Sequence, residues 1–159
     1  MPRDSVGFSE DKTPYKTNVG IQFRHERGKD VHAPGFYVHI EPGACFAGVG
    51  MWRPEPKVAR QIRDAIYEEP DTWRKATKLK GFTGTWGIDP GEEEMLKRVP
   101  KEYQDAKYPD DTRMKSFTAG HKLTQKTVTS ADFDVDLARA YKKASAYTAF
   151  LCDAIGLPY

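Results

Sequence analysis

The sequence predicts an α+β fold in which an antiparallel sheet carries helices packed on one face. Three observations carry this expectation. Residues 19–25, 35–41 and 44–52 alternate apolar with polar or small side chains, the period of a half-buried strand. Residues 56–69 place Val58, Ile62, Ala65 and Ile66 on one helical stripe, with Lys57, Arg60, Gln61, Arg63 and Asp64 around it. The closing segment, 132–155, repeats apolar residues at three- and four-residue steps from Phe133 to Ile155.

In the first strand Val19, Ile21 and Phe23 share one side, and Gly20, Gln22 and Arg24 share the other. In the second, Phe36, Val38 and Ile40 face inward while Tyr37, His39 and Glu41 face away. The charged segment 26–34 reads as a connection, and Pro42-Gly43 as the turn into the third strand, so the three runs form a meander. Pro70 halts the first helix, and Asp71-Thr72 restarts a short one through residue 78. Residues 81–88 read as a further strand with Phe82 and Trp86 on one face. Asp89-Pro90 reads as a helix start, with Glu92, Glu93 and Glu94 at its positive end. Residues 101–113 are expected to be irregular, and 114–123 a last strand with Phe117 in the core. Thr129 or Ser130 would cap the closing helix, and Gly156 would end it in a left-handed conformation.

At 159 residues the chain suits one domain, 1–159, burying roughly two-thirds of its unfolded surface. Hydrophobic content of 38% and charged content of 30% suit a soluble globular protein. No apolar run reaches membrane-span length, and the N-terminus lacks a signal peptide's apolar core. Two cysteines, Cys45 and Cys152, make no disulfide framework, so a cytoplasmic setting with buried thiols is expected. With 25 basic against 23 acidic residues the net charge is +2, which weighs against a dedicated nucleic-acid binder.

The stretch from Phe8 to Gly20 is polar, of low propensity and organised around Pro14, which keeps it out of a helix. Extended, it would place Lys12, Pro14 and Lys16 on one side and Tyr15 on the other. We read it as an arm docked across the polar face of the sheet beside His39. Arg3-Asp4, Phe8-Ser9-x-Asp11-Lys12-Thr13-Pro14-Tyr15-Lys16-Thr17, Pro34-Gly35-Phe36-Tyr37-Val38-His39-Ile40 and Gly48-x-Gly50-x-Trp52 together resemble one family. It is the domain of unknown function 2461, a set of bacterial and fungal conserved hypothetical proteins. The resemblance implies no activity, cofactor or catalytic residue. It does imply helical sequence upstream, so the chain is expected to be the C-terminal two-thirds of a longer family domain. Gly7 and Glu10 stand where the family tends to carry an arginine and a lysine.

The best constellation is Arg3, Lys12, Tyr15 and Lys16 with Arg24, Tyr37 and His39, the last three on polar strand faces. Strand pairing would bring Arg24 near His39 or Glu41. Cations and hydroxyls around an imidazole suit a small anionic ligand bearing phosphate or carboxylate, with His39 as catalytic acid or base. The bland alternative is a solvated face with weak cross-strand ion pairs. His39 and Glu41 share a face that His25 or His32 could join, but no tight ligand spacing appears, so neither metal nor cofactor is assigned. Gly43, Gly48 and Gly50 form no phosphate loop and read as packing glycines; His121 reads as a loop histidine. Two other functions stay open: a non-catalytic interaction module, homo-oligomeric or with a partner covering the exposed face, and, third, binding of nucleic-acid backbone.

Overall fold

The computed structural model describes residues 17–24 and 33–159. Four strands, β1 (Val19–Arg24), β2 (Gly35–Ile40), β3 (Cys45–Met51) and β4 (Phe117–Leu123), form one antiparallel sheet in the order β1-β2-β3-β4. The three expected strands of the meander are there, each within a residue of its predicted ends. The Pro42-Gly43 turn closes through the Ala44 N–H on the Glu41 carbonyl at 3.0 Å, with Gly43 at φ +81° as the turn type demands. Between β3 and β4 run α1 (Pro56–Glu68), α2 (Pro70–Thr77) and the single turn α3 (Lys80–Thr83); after β4 come α4 (Gln125–Val128), α5 (Phe133–Lys143) and α6 (Ser145–Ala154).

Alternation decides which sheet face is covered. Val38, Ala47, Val49, Phe117 and Ala119 point to the helices and are buried against Ile62 and Ile66 of α1, Trp73 of α2, and Tyr147 and Leu151 of α6. Burying each large apolar side chain contributes about 1.5–3 kcal/mol. Trp73 sits at the centre, its ring 5.0 Å from Phe150 and 6.0 Å from Tyr147, its indole N–H donating to Asp111 Oδ2 at 2.6 Å. The cover stops short of β1, where Val19, Ile21 and Phe23 are 42–56% exposed although they lie on the helix side.

Five expectations need correction. Residues 81–88 form no strand: Phe82 turns inward within α3 to pack on Tyr147 at 5.4 Å, and only Gly87 pairs, with Gly120 of β4. Asp89-Pro90 starts no α-helix. Asp89 Oδ1 accepts the Gly91 N–H, Gly91 reverses the chain at φ +76°, and Glu92–Glu94 makes one 3-10 turn. The closing helix breaks at Ala144, whose N–H bonds three residues back to the Tyr141 carbonyl. Ala144 is fully buried, so the kink follows from packing that the apolar spacing does not encode. Neither Thr129 nor Ser130 caps α5: Thr129 ends α4, and Ser130 Oγ accepts from the Asp132 N–H. His121 lies in β4 rather than in a loop, its ring 5.6 Å from Trp86. Gly156, at φ +73°, ends α6 as expected, with the Leu157 N–H returning to the Cys152 carbonyl.

Gly50 is the tightest point of the sheet. At φ +122° a Cβ there would stand 2.0 Å from the Phe117 carbonyl oxygen, whereas at Gly48 it would meet only ordinary contacts of 3.8 Å or more. Gly50→Ala is therefore expected to cost more than about 2 kcal/mol in urea unfolding. Gly48→Ala should be neutral or stabilising by up to about 1 kcal/mol; equal losses at both positions would contradict this.

Candidate functional site

The helix-free face of the sheet is organised by register. Three rows cross it: Gly20, His39, Phe46, Lys122; then Gln22, Tyr37, Gly48, Gly120; then Arg24, Gly35, Gly50, Thr118. Because Gly35, Gly48, Gly50 and Gly120 cluster in two of these rows, the sheet presents bare backbone there. A groove of about 910 Å³ opens over that floor. Gln22 and Arg24 wall it on β1, Tyr37 and Phe46 at one end, Trp52, Pro54 and Glu55 at the other, and Thr118 and Asp89 on the far side. The volume falls in the range of small-molecule sites.

The floor glycines are not equivalent. Gly50 is demanded by backbone, and a Cβ at Gly35 would crowd the Phe23 carbonyl oxygen at 3.1 Å. Among the described residues, a Cβ at Gly120 would meet nothing within 4 Å. Gly48 is thus not the packing glycine its sequence context indicates. Glycine in a strand interior weakens the strand, and Gly48 and Gly120, which have room for a Cβ among the described residues, leave the floor beneath the groove bare.

Along β2 a hydrogen-bonded chain runs on the same face. The Tyr37 hydroxyl lies 3.0 Å from His39 Nδ1, and His39 Nε2 lies 2.9 Å from Glu41 Oε2. Phe46 stacks on the imidazole at 5.0 Å. Tyr37 leans over β1, where the missing side chain of Gly20 leaves room for its hydroxyl; a Cβ there would stand 2.9 Å from that oxygen. From the covered side, the Tyr141 hydroxyl donates to the Tyr37 carbonyl at 2.6 Å. Burial pushes the Tyr141 phenol up to about 12, so it stays a donor throughout the neutral range.

Of the residues singled out in the sequence, Arg3, Lys12, Tyr15 and Lys16 lie outside the described residues, as do His25 and His32. Arg24, Tyr37 and His39 do share one face. Register separates them, however: Gly20 stands opposite His39, and Arg24 opposite Gly35, two rows away. Arg24 Nη2 instead donates to Gln22 Oε1 at 2.9 Å, leaning toward the Tyr37 row. Phe46, Trp52 and Gly120 were missed as groove residues. For the first two the signal was present, since 46, 48, 50 and 52 share a parity. Gly120 needs the β3–β4 pairing, which no local pattern supplies. Both cysteines are free and buried, and burial pushes the Cys152 thiol up, away from nucleophilic thiolate.

The Trp52 end is fixed by an unusual residue. Arg53 adopts φ +42°, a region that non-glycine residues rarely enter. Its N–H donates to Ser116 Oγ at 2.9 Å, and its guanidinium bonds Glu94 Oε1 through Nε at 2.9 Å and Nη2 at 2.6 Å. Ser116 Oγ completes the loop by donating to Glu94 Oε2 at 2.7 Å. The guanidinium carbon also lies 5.3 Å from the ring centre of Trp52, which is 63% exposed. A carboxylate and a hydroxyl, both buried, thereby hold the backbone that projects Trp52 at the groove mouth.

Residues 2–150 match the family described as conserved hypothetical protein (DUF2461). The chain belongs to that family. No curated protein and no solved structure matches it. Family membership brings no reaction with it, so the chemistry must be argued from the face itself. Among the described residues, no group of three or more His, Cys, Asp or Glu could hold a metal ion, and no helix is long and apolar enough to cross a membrane.

Arg53 and Ser116 hold the Glu94 carboxyl below the usual carboxylate range by hydrogen bonding. A carboxylate depressed in the folded state adds stability above its unfolded pKa, about 4.3, and loses it as pH falls through the folded value. Glu94→Gln is expected to melt below the parent at pH 7, with the gap closing as pH drops from about 5 to 3. A gap unchanged by pH in thermal melts would show that the charge of Glu94 does not support the fold.

Proposed function

We propose that the glycine-floored groove binds a small ligand carrying an oxyanion, phosphate or carboxylate. The observation that carries this reading is the pair Gly48 and Gly120, where strand interiors forgo side chains that the described residues leave room for. Backbone left bare in that way admits a flat ligand onto the sheet. Arg24, steered by Gln22, supplies the positive end for the oxyanion, and a guanidinium presents the planar fork that carboxylate and phosphate fit. Glu55, at the Trp52 end, and Asp89, on the side away from β1, favour donors on the remainder of the ligand. The aromatic edges of Tyr37, Phe46 and Trp52 give it apolar walls. The free, buried state of Cys45 and Cys152 supports a reducing cytoplasm as the setting.

Thermal-shift measurements with sugar phosphates, nucleoside monophosphates and dicarboxylates test this. At least one class should raise the parent's melting temperature. Gly120→Val, which fills the floor with a residue that strands favour, should keep its own stability yet lose the response, as should Arg24→Ala. No response in the parent, or a full response in Gly120→Val, would defeat the reading. Steep weakening of DNA or RNA binding with salt would instead mark a nucleic-acid backbone site.

One observation favours a second reading, association of two copies. The edge strand β1 exposes Val19, Ile21 and Phe23, and antiparallel self-pairing about Ile21 would set Val19 against Phe23 on one face. Sedimentation should then show a concentration-dependent dimer that Ile21→Lys abolishes. A monomer at all concentrations would remove this reading.

A further inference from the structure

We infer that the Tyr37 hydroxyl is the group that discriminates ligands in the groove, and that His39 sets whether it accepts or donates. The inference rests on the oxyanion reading above and adds the residue that selects for the anion. The direction of each hydrogen bond follows from chemistry. An ionised carboxylate can only accept, so Glu41 Oε2, 2.9 Å away, fixes the proton of a neutral imidazole on Nε2. Nδ1 is then an acceptor, and the Tyr37 hydroxyl 3.0 Å from it must donate. In that state the single phenolic proton is occupied, and Tyr37 offers a ligand only lone pairs.

Protonation of His39 reverses the chain. Nδ1 becomes a donor, the Tyr37 oxygen accepts from it, and the phenolic proton is released to point at a ligand. The proton gained stays on Nδ1, both ring nitrogens then donate, and Glu41 balances the imidazolium charge. The Tyr37 end of the groove, which offered an oxyanion only lone pairs, thereby gains a donor.

The surroundings of His39 leave this chain undisturbed among the described residues. Its own strand contributes Tyr37 and Glu41. β3 contributes the stacked Phe46 ring, and β1 contributes Gly20 opposite. Beyond Phe46 in the same row stands Lys122 of β4, exposed to solvent. Since both imidazole nitrogens are engaged, His39 is a positioning residue, and Tyr37 is the side chain of this chain that lines the groove.

Inorganic sulfate is the probe of choice, because its charge is constant over the interval in which imidazoles titrate. Calorimetric affinity in the parent should rise about tenfold or more from pH 8 to pH 5.5, the effect of one added hydrogen bond to a charged group. Tyr37→Phe keeps the imidazole and its charge but has no proton to release, so it should lose most of that rise. His39→Gln should bind with little dependence on pH. Circular dichroism melts confirm that each variant is folded. Nitrogen NMR of the parent at pH 8 should show His39 protonated on Nε2 alone. A rise preserved in Tyr37→Phe, or the opposite tautomer, overturns the inference while leaving the oxyanion reading standing. Absence of sulfate binding at every pH overturns both.

Discussion

The structure depends on how little side chain β3 carries. Its inward positions are Cys45, Ala47, Val49 and Met51, all buried, and its outward positions include Gly48 and Gly50. Small residues on the inner side let α6 pack close, so that Tyr147 and Leu151 reach the sheet and are sealed with Trp73. Bare positions on the outer side leave the same backbone open to the groove. A core and a candidate site therefore share one strand, separated by the thickness of its peptide planes. Gly50 links the two, since its left-handed backbone sits against the Phe117 carbonyl and fixes how β3 meets β4.

How much of this was legible in the sequence varies with the kind of order involved. Alternation is local, so the faces of β1, β2 and β3 could be assigned from parity, and Arg24, Tyr37 and His39 do share one. Register is not local. It is set by turn geometry and by which apolar residues find the core, and it placed Gly20 rather than Arg24 opposite His39. Residues 81–88 misled because Phe82 and Trp86 fit a strand face and a helical turn equally well when three glycines dilute the pattern. The break at Ala144 left no trace, since apolar spacing runs through it unbroken. The glycines show the same division: their positions can be read, but not whether a Cβ would clash, as at Gly50, or clear every described residue, as at Gly120.

The two ends of the groove are held in different ways. At the Trp52 end the constraint is electrostatic and buried: Glu94 and Ser116 satisfy the main chain and side chain of a residue in a disfavoured conformation. A backbone outlier persists only where its surroundings over-determine it, and such outliers gather at functional positions. At the Tyr37 end the constraint comes from packing on both faces, with Tyr141 bonded to the Tyr37 carbonyl beneath and Phe46 against the ring above, 5.7 Å between centroids. Both ends are thus anchored to the folded body.

This arrangement also limits where chemistry could occur. An imidazole whose nitrogens are both engaged cannot exchange a proton with a ligand without first giving up a partner. His39 could therefore serve as an acid or base only through Tyr37, whose hydroxyl bonds the ring and whose side chain lines the groove. Glu41 sits behind the imidazole, on the side away from Tyr37. That order, carboxylate behind imidazole behind phenol, allows charge to be redistributed along β2 while the backbone stays fixed. The same order makes Gly20 consequential: a Cβ at that position would stand 2.9 Å from the phenol oxygen that bonds His39, and would displace it.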